Sequence, residues 1–472
     1  MSDSYPTRQA VIFIHGIGEQ RPMQTLRSFV NGIVTVRNID GQKFWNNPDR
    51  LSDSFELRRL TAPGDDKYWP TTDYFEYYWA FNMRDTKYRH VITWLLRLFS
   101  RPWRLPARIR WVWWTTLILL VAAAALASAG RLPQMGTVTQ RWAWAAYLVT
   151  LALTGFINKA VVGFLGDAAR YLSPNAENIA QRQAVRSNGV RLIRQLHASG
   201  KYGRVIVVGH SLGSVIAYDI LRFAWDEYSD KAPRTYSQER KKCLDSMRAL
   251  ITDKPNIDQR HFAERYQVMQ EELWRIERKR GAPWLVTDLV TCGSPLAHAS
   301  VLLATSKTDL ELRQREREWP TCPPIPQANE DAFTYQCGLD EECGDERDDL
   351  AGILHSSALF SCVHWTNLYY ASDFIGGPLA GVFGPGVRDV KIEREHKNSA
   401  KRRYPNWLYL KGFTPSSHGM YWKQPPKKQR YEEYPPLMWN AVRRMRGAMN
   451  VPDYALVTFD RPVSASDLGA DD

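Results

Sequence analysis

At 472 residues, with 44% hydrophobic and 24% charged side chains, the chain makes roughly two to four domain-sized units with a sizeable core, which excludes wholesale disorder. A mean hydropathy of −0.42 excludes a polytopic membrane protein but leaves room for one or two spanning helices. The net charge of +12 calls for an anionic neighbour, either nucleic acid or an acidic lipid surface, and the placement of the arginines decides between them.

Residues 1–90 are expected to open an α/β core. The polar start and the short apolar run Val11 to Ile14 do not make a cleaved signal peptide. Val11 to His15 reads as a strand that stops at the turn His15-Gly16-Ile17-Gly18, with further strands at Phe55 to Leu60 and Tyr74 to Ala80. Residues 91–170 then carry two apolar stretches, 111–130 and 142–166, the second interrupted only by Lys159. A helix of the first length spans about 30 Å, the thickness of a bilayer's hydrocarbon core, so a two-helix transmembrane hairpin is expected. Trp111, Trp113 and Trp114 open the first stretch and Trp142 and Trp144 the second, as interfacial belts on opposite faces require. Arg97, Arg101, Arg104, Arg108 and Arg110 precede the hairpin, against Arg131 and Arg141 in its loop, which puts both ends on the cytoplasmic side. A buried helical hairpin is the alternative. The arginine cluster points to an anionic leaflet as partner, and no helix-turn-helix or stacked-aromatic pattern argues for nucleic acid.

Residues 171–225 continue the core. Asn178 to Ser199 has helical spacing and Gly200 stops it before the strand Val205 to Gly209. The stretch 226–283 is dense in charge with helical periodicity and reads as an insertion, a solvated face or a lid. Residues 284–459 close the core with strands at Leu285 to Cys292, Trp365 to Tyr370 and Trp407 to Leu410, and contain a Pro-rich, then acidic loop at 319–350. The tail 460–472 is expected to be disordered. Short β-branched runs alternating with helical ones define a mostly parallel sheet covered by helices. The six cysteines lack framework spacing and read as free thiols; Cys322, Cys337 and Cys343 with His355 and His364 make only a weak metal pattern, and no metal or cofactor is expected.

The chemistry concentrates at Val205-Ile-Val-Val-Gly209-His210-Ser211-Leu212-Gly213, a β-branched strand, a G-x-S-x-G pentapeptide and a helix-compatible segment in succession. A serine on such a strained turn is pushed out of the sheet toward solvent, and only small residues fit two positions to either side, which Gly209 and Gly213 supply. The helix that starts there aims free N–H groups at a reacting carbonyl. With the His15-Gly16 turn upstream, this resembles the α/β-hydrolase superfamily of lipases and esterases.

That resemblance implies an oxyanion hole from the backbone N–H groups of Ile17 and Leu212, a structural His15, and a triad in the order serine, acid, histidine. Asp373, at the end of the strand Trp365 to Tyr370 before a Gly/Pro loop, is the expected acid. Downstream of it, His396 sits in a charged run, so His418 is the expected base. His210 should point away from the hydroxyl, and Asp219 and Asp288 read as structural. The implied reaction is hydrolysis of an acyl ester or thioester in a lipid or lipid-modified substrate through an acyl-enzyme. An inactive hydrolase fold serving as a membrane-bound scaffold is the competing expectation; a peptidase is a weaker one, since nothing suggests a peptide groove.

Overall fold

The computed structural model describes residues 8–16, 21–34, 44–52, 56–64, 70–83, scattered positions between 114 and 148, residue 171, and 176–233, 236–253, 257–326, 332–335, 352–373, 375–392 and 415–422. The chain divides into two compact units, one of Met1–Asn82, Gln183–Ala297 and Leu310–Asp472, the other of Met83–Arg182 and His298–Asp309.

The first unit is built on an eight-stranded sheet. Its strands are β1 (Arg8–Ile14), β2 (Trp45–Pro48), β3 (Arg58–Ala62), β4 (Thr71–Tyr77), β5 (Arg204–His210), β6 (Val286–Cys292), β9 (His364–Tyr370) and β10 (Arg388–Ile392), while β7 (Thr334–Tyr335) and β8 (Ile353–Leu354) pair as a small separate ladder. The order is β10-β9-β6-β5-β1-β4-β3-β2. The six strands from β10 to β4 are parallel, and β3 and β2 add an antiparallel edge. Strands β5 and β6 are buried along nearly their whole length, as central parallel strands must be when helices cover both faces. The fold is therefore α/β, as the alternating pattern anticipates. The run Trp407 to Leu410 lies outside the described residues. Strands β2 and β10 escape the hydrophobic pattern because they are edges: Trp-Asn-Asn-Pro is mostly exposed, and Arg-Asp-Val-Lys-Ile only half-buried.

The helices of this unit are α1 (Gln24–Ile33), α2 (Ala176–Ala198, whose first turns belong to the second unit), α3 (Leu212–Tyr228), α4 (Gln238–Thr252) and α5 (Gln259–Lys279). On one face Val11 and Phe13 of β1 meet Leu26, Phe29 and Val30 of α1, with Ile206 and Val208 beside them. Phe13 packs 4.5 Å from Phe29 and 5.3 Å from Trp422, ring to ring. On α3 and α5, Tyr218 and Tyr266 are wholly buried, the Tyr218 ring 5.4 Å from Trp365 of β9. The stretch 226–283 is therefore not the wholly solvated face that its charge suggests. Its α5 buries Phe262, Ala263, Tyr266, Gln270, Leu273 and Ile276 and packs on β9 and β10, with α4 laid against it, so it forms the crossover from β5 to β6. Most of its charge faces outward, apart from the buried Arg240–Glu277 ion pair, and that density hid the apolar stripe beneath.

Within the second unit, the described positions of the two apolar stretches are helical and carry exposed side chains, among them Trp114, Ile118, Val121, Trp142 and Leu148. Among the described residues no helix is long and apolar enough to cross a membrane. Most of 111–130 and 142–166 lies outside them, as does the acidic part of 319–350. The Pro-rich part of that loop is not a solvated surface, since Trp319 and Cys322 are buried.

One buried carboxyl sets a pH dependence. Glu76 near the end of β4 is inaccessible and caps the start of α1, accepting from the Met23 N–H at 2.5 Å, while its Oε1 has no hydrogen-bond partner among the described residues. Burial, only partly offset by backbone hydrogen bonding, pushes its pKa up from 4.5 to about 7. A carboxyl with a raised folded pKa stabilises fully below its unfolded value and loses that contribution as pH rises toward the folded one. We expect the unfolding free energy of wild type to fall relative to Glu76→Gln by about 3 kcal/mol between pH 4 and pH 8, measured by denaturant titration at both pH values.

Candidate active site

In this sheet the crossover from β1 runs to one side, to β4, and that from β5 to the other, to β6, so the chain reverses direction of winding between β1 and β5. The carboxyl ends of strands at such a switch point are where open α/β sheets bind ligands. There β5 ends and α3 begins, with Ser211 between them at φ 55° and ψ −131°. A non-glycine residue held in that conformation costs about 1–3 kcal/mol and persists only where its surroundings enforce it.

They do so by contact. A Cβ on Gly213 would lie 2.2 Å from the Ile14 carbonyl oxygen, and one on Gly209 would lie 2.5 Å from Ser214 Cα. The His15-Gly16 turn closes from β1: a Cβ on Gly16 would fall 2.6 Å from Ser211 Cβ and 3.2 Å from its Oγ. Ser211 N–H donates to the Cys292 carbonyl at 3.0 Å, and Ser214 Oγ lies 2.6 Å from the Ser211 carbonyl and 2.7 Å from Ser294 Oγ. The serine is consequently enclosed, with 2% of its surface accessible, which corrects the expectation of a hydroxyl open to solvent. The strand-end turn of β1 and the segment bearing His418 pack around the elbow, so protrusion from the sheet does not become exposure.

Asp373 follows β9 and is wholly buried. Its Oδ1 accepts from the N–H groups of Ile375 and Gly376 at 3.0 and 3.1 Å, and its Oδ2 from His418 Nδ1 and the Tyr421 hydroxyl, both at 2.9 Å. Burial works to raise its pKa, but His418 and these hydrogen bonds outweigh that and hold the carboxyl below its usual 3.8. A nitrogen that faces a carboxylate carries the proton, which leaves Nε2 as the ring nitrogen of His418 able to accept one. His418 itself sits in a single 3₁₀ turn, Pro415–Gly419. The turn is joined to the loop that carries Asp373 by Ser417 Oγ, 3.1 Å from Ser372 Oγ.

The structure thus brings Asp373 and His418 together from 45 residues apart and sets them beside the elbow. Gly293, next to the residue that anchors the Ser211 N–H, has φ 56°, and a Cβ there would meet Asp373 Oδ2 at 2.8 Å and His418 Nδ1 at 2.9 Å. The Ser211 hydroxyl makes no hydrogen bond to either partner among the described residues. Of the expected oxyanion donors, Leu212 opens α3, where first-turn N–H groups have no intrahelical acceptor, and Ile17 lies outside the described residues. His396 lies outside them too.

The remaining expected residues have partners of their own. His15 Nδ1 donates to the Gly16 carbonyl at 2.7 Å, its ring stacks 5.4 Å from Trp79, and burial lowers its pKa to about 4, so it is a neutral packing residue. Asp219 is held by Arg186 and Arg222 and Asp288 by His364. Cys243, Cys292, Cys322 and Cys362 are buried free thiols. Sequence reasoning missed Tyr421 and Gly293. Tyr421 lies only three residues past His418, and its hydroxyl is a donor suited to a carboxylate; the closeness of Gly293 has no signal in the chain. Compared with known proteins, the chain matches no protein-family profile, no curated protein and no solved structure.

Proposed function

We propose that the chain is a lipase- or esterase-like serine hydrolase of the α/β-hydrolase kind that cleaves an acyl ester or thioester. The observation that carries this reading is a strained serine between a strand and a helix at the sheet's switch point, beside a histidine whose Nδ1 is held 2.9 Å from a buried carboxylate. His418 Nε2 takes the Ser211 proton as Oγ attacks the acyl carbon, and the N–H groups of Leu212 and Ile17 hold the negative charge on the carbonyl oxygen. Asp373 supports the imidazolium. The proton then goes to the leaving alcohol or thiol, and water, activated by the same ring, releases the acid and restores the serine. The enclosure of Ser211 means that substrate enters by displacing part of what covers it, and the water it excludes strengthens every dipole aimed at the reacting oxygen.

The substrate is a lipid or lipid-modified ester, and the protein works on the cytoplasmic side of an anionic membrane. Support comes from the two apolar stretches 111–130 and 142–166, the five arginines ahead of them and the exposed Trp114, Ile118, Val121, Trp142 and Leu148. A second reading, an inactive hydrolase fold acting as a membrane-bound scaffold, draws on the buried serine without a hydrogen bond to the base. One experiment separates them. A fluorophosphonate labels wild type and not Ser211→Ala, and a lipid-ester screen shows turnover only in the former; a folded wild-type chain that takes no label decides for the scaffold.

A further inference from the structure

The base is delivered by residues 415–422, a segment 208 positions downstream of the elbow, and the question is what fixes its backbone against the nucleophile. The His418 ring is held at one end by Asp373. At the other end the His418 backbone carbonyl accepts from His210 Nε2 at 2.9 Å. A carbonyl oxygen only accepts, so His210 carries its proton on Nε2. The His210 ring lies 4.9 Å from the His418 ring and stands edge-on to Trp422 at 4.8 Å and 84°. Packing around the ring and the neighbouring His418 push its pKa down to about 3, so this donor persists in one neutral form across ordinary pH. Trp422 in turn packs on Phe13 and Phe29, and α1 comes so close that a Cβ on Gly32 would lie 2.2 Å from the Trp422 carbonyl oxygen.

We propose that His210 is a positioning residue, a latch that ties the base-bearing segment to the nucleophile's own turn by hydrogen-bonding the His418 carbonyl. The residue immediately before the nucleophile thereby sets where the base stands. Because His210 and Ser211 are neighbours on one strained turn, the serine and the backbone of its base move together. The histidine inside the G-x-S-x-G pentapeptide holds the base without touching the reacting hydroxyl. The kinetic side of this inference rests on the hydrolase reading; the mechanical side does not.

The test compares full-length wild type, His210→Leu, which keeps bulk and loses the donor, and His210→Gln, whose carboxamide N–H reaches to the same place. Hydrogen–deuterium exchange over 415–422 is expected to accelerate about tenfold in His210→Leu and to return toward wild type in His210→Gln. Fluorophosphonate labelling is expected to slow about 100-fold in His210→Leu, the cost of a base misplaced by about 1 Å, and to be largely recovered in His210→Gln. Equal exchange in all three proteins overturns the latch. Equal slowing in both variants also overturns it, since it assigns the ring a packing role only. A wild-type chain that takes no label but shows the exchange pattern retains the latch and removes the hydrolase reading.

Discussion

Replacing Asp373 with asparagine is expected to lower fluorophosphonate labelling and ester turnover about 10⁴-fold while the chain stays folded. The reason lies in how the carboxylate is held. Oδ1 accepts two backbone N–H groups, from Ile375 and Gly376, so an asparagine keeps its carbonyl oxygen there and turns its NH₂ toward His418 and Tyr421. His418 Nδ1 then faces a donor and must give up its own proton to accept. The tautomer flips, Nε2 carries the hydrogen, and the ring can no longer take one from Ser211. Because the wild-type carboxyl is held below its usual 3.8, its stabilising contribution is present above that value and lost as pH falls through the lower folded pKa. The variant's melting temperature should accordingly converge on that of wild type in strong acid, while its labelling defect at neutral pH persists. Labelling at the wild-type rate would remove Asp373 from the relay.

A second large effect is expected far from the chemistry. Asp288 and His364 are direct neighbours across β6 and β9, both buried, with Oδ1 and Nδ1 3.1 Å apart. Burial opposes charge on each, but their hydrogen bond and mutual attraction prevail, raising the histidine above 6.5 and lowering the carboxyl below 3.8. The raised histidine contributes fully below 6.5 and loses that contribution as pH rises through its folded value; the lowered carboxyl contributes above 3.8 and loses it in acid. The pair is thus fully stabilising from about pH 4 to pH 6.5. Asp288→Asn strands a buried imidazole without its counter-charge, which costs about 3–5 kcal/mol. Denaturant unfolding at pH 6 measures it, and a loss under 1 kcal/mol would show the imidazole to be neutral there.

Much of the arrangement is legible in the chain because it is dictated by short-range sterics. The β-branched run into Gly209-His-Ser-Leu-Gly213 can hardly be anything but a strand turning into a helix, and the glycines stand where backbone from β1 presses against them. Asp373 and His418 are legible for another reason, since few acids sit at a strand end and few histidines lie downstream. What stays hidden depends on long-range packing. Nothing local in the charged stretch 226–283 reveals that α5 lies on β9 and β10, because a crossover helix and a surface helix share one periodicity. The enclosure of Ser211 is equally non-local, arising from a turn about 195 residues before it and a segment about 207 after it. Those distances have no trace in the pentapeptide.

The late position of His418 in the chain bears on how the protein is made. Its last described sheet strand ends at Ile392, whereas the imidazole arrives only with the turn at Pro415–Gly419. A ribosome adding about 5–20 residues each second leaves an interval in which every described sheet strand has been translated but Ser211 and Asp373 still lack His418. On the hydrolase reading, acyl transfer waits until the turn bearing His418 docks beside the elbow.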